Sequence, residues 1–125
     1  MSAPAPASRG AFGARAATPA ELADWDRHTV HAPGGHVYQS LAWARERARL
    51  GWRPLYASLD GDHRALVLVR DAPWVGGASA YVPRGPIADP RDRGPVIAAR
   101  TIALADWLAT NGVDVVATDA EVPAS

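Results

Sequence analysis

The chain has 125 residues, 48% of them apolar, and equal numbers of basic and acidic side chains, so its formal net charge is zero. That length makes one domain or part of one, with enough apolar residues for a single core. Cys is absent, which excludes disulfides, thiol nucleophiles and Cys-ligated zinc; all 13 basic residues are Arg, which excludes Lys nucleophiles and Schiff bases.

No basic run marks the chain as a nucleic-acid binder. No apolar run approaches the roughly 20 residues of a membrane helix, and the first residues lack the apolar centre of a signal peptide. The expected location is therefore the cytoplasm, with no integral membrane segment. Residues 1–17 are mostly Ala, Pro, Gly, Ser and Arg, with Phe12 as the one large apolar group after Met1. Such a stretch buries too little surface to offset its ordering, which predicts a disordered tail.

Thr18-Pro19-Ala20-Glu21 is a helix start: Thr18 caps, Pro19 takes the first helical position and Glu21 completes a capping box. Leu22 and Trp25 share a face of a short helix ending near His31, before Ala32-Pro33-Gly34-Gly35 breaks it. His36-Val37-Tyr38 reads as a brief extended piece. Ser40 caps a second helix through Leu50, stopped by Gly51. Trp43, Arg47 and Leu50 fall on one side of it, next to a side lined by Leu41, Ala44 and Ala48.

A hairpin follows, with strands over 52–59 and 65–69 and a turn at Asp60-Gly61-Asp62. The Gly76-Gly77 pair leads into a third strand, 77–82. That strand cannot continue past Pro83-Arg84-Gly85-Pro86, because each Pro lacks a backbone donor. The stiff loop presents Tyr81, Arg84 and Asp89, a phenol, a guanidinium and a carboxylate. A rigid backbone carrying these groups suits gripping a polar or anionic ligand at the end of a sheet. The same residues also fit a Pro-rich edge loop with Arg84 merely solvated. After a turn at 89–94, Pro95 opens a helix capped by Asp92 or Gly94 and stopped by Asn111-Gly112, and 113–118 reads as a buried strand. The order is helix, helix, three strands, helix, strand. It predicts an α/β fold with a mixed, mostly antiparallel sheet and flanking helices.

Several motifs in this order resemble the FemAB family of peptidoglycan bridge-forming aminoacyltransferases. Gln39-Ser40 with Trp43 is similar to its Q-S-x-x-W helix start, Gly51-Trp52-Arg53-Pro54 follows at the family's spacing, and Tyr81-Val82-Pro83-Arg84-Gly85-Pro86 resembles its Y-x-P-R/K-G-P loop. The resemblance covers roughly 20–125. It implies a GNAT-like (acetyltransferase-like) domain of which residues 18–125 are the front part, so the chain is expected to be a truncated portion of a longer protein, inactive alone. It implies transfer of an amino acid from aminoacyl-tRNA to the stem peptide of a nucleotide- or lipid-linked muramyl precursor, with no cofactor. Arg47, four residues after Trp43, takes the position of a basic residue that holds precursor phosphates. Tyr81 and Arg84 would line the precursor cleft, and Asp89 is a candidate general base.

Two other readings compete. An acetyl-CoA-dependent GNAT enzyme needs a Gly-rich pyrophosphate loop; Arg91-Asp92-Arg93-Gly94-Pro95-Val96 comes nearest, but Pro95 removes a donor that such a loop uses. A non-catalytic interaction module could use exposed Trp anchors, for which Trp74 is the best candidate, whereas Trp25 and Trp107 sit at core spacing. His28, His31 and His36 invite a metal reading, but no carboxylate pattern completes the site, and they are read as surface residues.

Overall fold

The computed structural model describes residues 13–33, 35–59, 63–71, 77–83 and 93–118. Strands β1 (Arg15–Ala16), β2 (Arg53–Ser58), β3 (Arg64–Asp71), β4 (Ala78–Val82) and β5 (Val115–Thr118) lie side by side in chain order. The first four pair antiparallel and β5 joins β4 in parallel. The parallel step requires a crossover, which α4 (Gly94–Thr110) supplies. The mixed, mostly antiparallel α/β sheet expected from the sequence is what forms.

Strand β3 explains the layering. It is the middle strand, and Ala65 through Val69 are all buried, so it is apolar on both faces rather than alternating. Ala65, Val67 and Val69 enter one core with Leu104 and Leu108 of α4; Leu66 and Leu68 enter a second core with Trp25 and Ala44. The period of two in the strand thus serves two helical layers. One layer is α4. The other contains α1 (Pro19–Ala23), α2 (Trp25–Thr29) and α3 (Leu41–Arg49).

The capping box forms as expected. Thr18 Oγ1 accepts from Glu21 N–H at 3.2 Å, and Glu21 Oε1 accepts from Thr18 N–H at 2.9 Å. Glu21 also binds Arg15 through two contacts of 2.7 and 2.9 Å, accepts from Ser58 at 3.2 Å and lies 3.5 Å from buried Arg64. The Arg15 hydrogen bonds, followed by the Thr18 N–H, hold the Glu21 carboxyl far below the usual carboxylate range.

Four details differ from the sequence reading. The helix expected from Thr18 to His31 is two helices, broken at Asp24, whose N–H turns back to the carbonyls of Glu21 and Leu22. The extended piece at His36–Tyr38 is a 3₁₀ turn, Val37–Gln39, started by His36 Nδ1 accepting from Tyr38 N–H at 3.1 Å. The N-cap of α4 is Arg93, neither Asp92 nor Gly94. Residues 14–17, assigned to the tail, carry β1; Ala17 N–H donates to Tyr56 C=O at 2.9 Å, and Ala14 packs on the α4-side core. The remainder of that tail, residues 1–12, lies outside the described residues, as do the turn at 60–62 and Trp74. No helix among the described residues is long and apolar enough to cross a membrane.

Candidate functional site

The helical layer with α3 leaves a cleft of about 190 Å³ between α3 and the sheet, lined by Tyr38, Trp43, Arg47, Trp52, Leu68, Tyr81 and Pro83. Its helical wall is fixed by a well-anchored helix start. Ser40 Oγ accepts from Trp43 N–H at 3.0 Å, and Asp26 Oδ1 accepts from Leu41 N–H at 2.9 Å. Trp43 and Arg47 are one turn apart and so share a face. The Arg47 guanidinium carbon sits 4.4 Å from the Trp43 ring centroid. Tyr38 stacks on Trp43 at 4.4 Å with 28° between planes, and His36 tilts against Tyr38 at 4.6 Å. The sheet wall comes from Leu68 of β3 and Tyr81 of β4, which are register partners, with Pro83 just beyond.

The chemistry offered is a cation held against aromatic faces. Attraction of the Arg47 cation to the Trp43 ring contributes about 0.5–2 kcal/mol. Among the described residues nothing hydrogen-bonds to Arg47 Nε, which is out of contact with solvent. A phosphate or carboxylate meets the fork geometry that guanidinium bonds best. Arg70 is placed in the same manner over the ring of Trp52, at 4.1 Å, so two Trp side chains of the cleft each carry an arginine. Among the described residues no carboxylate lines the cleft.

Of the four residues singled out from the sequence, Arg47 and Tyr81 are brought together here, from positions 34 residues apart in the chain. Arg84 and Asp89 lie outside the described residues. Sequence reasoning gave no site role to Tyr38, which precedes the Gln39-Ser40 motif, or to Trp52, which stands within a quoted motif, and it took Gln39 only as part of a helix start. Gln39 is fully buried behind the cleft. Its Oε1 accepts from Leu66 N–H at 2.6 Å, while its Nε2 donates to Leu66 C=O at 3.2 Å and to Pro83 C=O. A Gln immediately before a capping Ser was the available signal, since a polar side chain there has no helical partner of its own.

No family model matches the chain, and no curated protein matches it. Among solved structures, the crystal structure of FemX matches with a TM-score of 0.62 at 17% identity, over 82% of this chain and 26% of FemX. The chain therefore spans about a quarter of the length of that structure. The likeness shows that the chain shares its fold with part of FemX.

Proposed function

We propose that the chain is part of a cytoplasmic FemAB-type aminoacyltransferase, which moves an amino acid from aminoacyl-tRNA to the stem peptide of a nucleotide- or lipid-linked peptidoglycan precursor. The observation that carries this reading is the meeting of Arg47 and Tyr81 in one aromatic cleft on a FemX-like fold. In it, Arg47 grips a phosphate of the precursor, and Tyr81, with Arg84, lines the path of the stem peptide.

The reaction is acyl transfer. A stem-peptide amine attacks the ester carbonyl of the charged tRNA; the C–N bond forms, the ester C–O bond breaks, and the tRNA ribose oxygen leaves with the proton the amine has lost. Asp89 is the proposed base for that proton. The ester is already activated, so the chemistry calls for no cofactor, only alignment, one proton transfer and oxyanion stabilisation. General base help is worth about 10²–10⁴-fold, so loss of Asp89 would slow the reaction without abolishing it. A chain spanning a quarter of FemX is proposed to bind precursor without turning over alone.

The start of α4 counts against an acetyl-CoA enzyme. Pro95 has no N–H, and the N–H groups of Val96 and Ile97 both donate to Arg93 C=O, at 3.0 and 3.1 Å. At Pro95 and Val96, two positions such a loop would use, no backbone donor is left to cradle a pyrophosphate. Calorimetry with nucleotide-linked muramyl-pentapeptide tests the reading, using Arg84→Ala as the variant and acetyl-CoA as control. Precursor binding weakened by Arg84→Ala is expected. Binding of acetyl-CoA in place of the precursor would overturn it.

A further inference from the structure

Strand β4 ends for a backbone reason, and the end is repaired from outside the sheet. Leu68 pairs with Tyr81; stepping two residues along each antiparallel strand sets Leu66 opposite Pro83. In a normal ladder the residue opposite Leu66 would accept its N–H and donate to its C=O. Pro83 has no N–H, so it cannot donate. Both backbone groups of Leu66 are instead taken by the amide of Gln39, whose Nε2 also reaches Pro83 C=O. A side-chain amide with one acceptor and one donor substitutes here for a peptide unit of the strand.

The placement of Gln39 connects this repair to the cleft. Gln39 is flanked by Tyr38 on one side and by the cap of α3 on the other, so its backbone belongs to the wall that carries Tyr38, Trp43 and Arg47. Its side chain ends on the opposite wall, at Leu66 and Pro83, beside Leu68 and Tyr81. Its carbonyl accepts from the indole N–H of fully buried Trp25 at 2.8 Å, which keeps it from shifting along the sheet. We infer that Gln39 is a positioning residue that fixes the spacing of the two cleft walls, setting Arg47 and Tyr81 at the distance the ligand requires. In its consequence for ligand binding this rests on the function proposed above; in its geometry it does not.

The experiment reads the geometry without a ligand. The chain contains no Cys, so paired nitroxide labels go only where they are introduced, at Val37→Cys on one wall and Ser79→Cys on β4, both exposed positions. The parent chain is expected to give a single narrow label-to-label distance. Gln39→Leu, which keeps bulk and removes the amide, and Gln39→Glu, which keeps the acceptor and loses the donor, are each expected to broaden or shift it while the amides of α4 stay protected from hydrogen exchange. An unchanged distance in either folded variant overturns the inference. Should Gln39→Leu fail to fold, hydrogen exchange on the parent chain still decides: the Leu66 amide is expected to be as protected as that of Leu68, and exchange at the rate of an unpaired edge amide overturns the inference.

Precursor affinity supplies the functional arm. Both variants are expected to weaken nucleotide-linked muramyl-pentapeptide binding at least tenfold. Full affinity in a variant with a shifted distance would overturn the positioning role. A parent chain that shows the narrow distance but binds no precursor would refute the proposed function and leave the role of Gln39 as a spacer in place.

Discussion

Replacing Trp25 tests whether the helical layer is pinned to the sheet by a specific bond or by bulk alone. Trp25 is 0% exposed, meets Tyr56 edge-on at 5.3 Å and 85°, and donates its indole N–H to Gln39 C=O. Trp25→Phe keeps an aromatic ring but strips the donor and the outer atoms of the indole. The stranded buried carbonyl costs about 1–3 kcal/mol, and the lost apolar atoms add about 1 kcal/mol. The expected total is therefore about 2–4 kcal/mol. Trp25→Ala adds most of a side-chain cavity and loses the edge contact with Tyr56, for about 5 kcal/mol. That approaches the whole stability of a small domain. Urea unfolding followed by circular dichroism avoids relying on the altered fluorophore. A cost below about 1 kcal/mol for Trp25→Phe would refute the reasoning, because the Gln39 carbonyl would then not depend on the indole.

Two further outcomes follow from other parts of the fold. Gly77 has φ +80°, and a Cβ there would run into the Asp114 carboxylate, which accepts the Ala78 N–H at 3.3 Å. Gly77→Ala should cost about 2 kcal/mol in urea unfolding, combining left-handed strain with the displaced acceptor; in an Asp114→Ala background only the strain, about 1 kcal/mol, should remain. Glu21 has a folded pKa depressed below its ordinary 4.5, chiefly by its hydrogen bonds to Arg15. Its contribution is therefore present above that ordinary value and is lost as pH falls towards the folded one. The stability gap between the parent and Glu21→Gln should be widest at neutral pH and shrink below about pH 4.5, as read by melting temperature across a pH series; a gap that grows on acidification would contradict the assignment.

What could be read from the sequence was what local chemistry decides. The capping box at Thr18 and Glu21, the Ser40 cap and the uninterrupted apolar run of β3 each carry their own signal within a few residues. The features that escaped depend on partners far along the chain. Strand β1 is two residues of Arg and Ala, unremarkable until Ser58 and Ala57 lie beside them. The break at Asp24 follows a favourable capping box and has no Gly or Pro to announce it. The 3₁₀ turn at Val37–Gln39 depends on His36 accepting a local N–H, which an apolar pattern does not encode. At the site, Arg47 was found through motif resemblance and Tyr81 through the stiff loop as well as the resemblance, whereas the role of Gln39 rests on contacts 27 and 44 residues away that only the fold creates.

The central claim, that the cleft between α3 and the sheet takes the anionic part of a cell-wall precursor, is tested most directly at Arg47. Calorimetric titration of nucleotide-linked muramyl-pentapeptide would compare the parent chain with Arg47→Ala and with Arg45→Ala, an exposed arginine on the same helix that does not line the cleft. Loss of one charge-assisted contact of about 1.5–3 kcal/mol predicts affinity about 10–100-fold weaker for Arg47→Ala. Arg45→Ala should bind like the parent. Equal weakening by both variants would reduce the effect to general charge, and full affinity in Arg47→Ala would contradict the account.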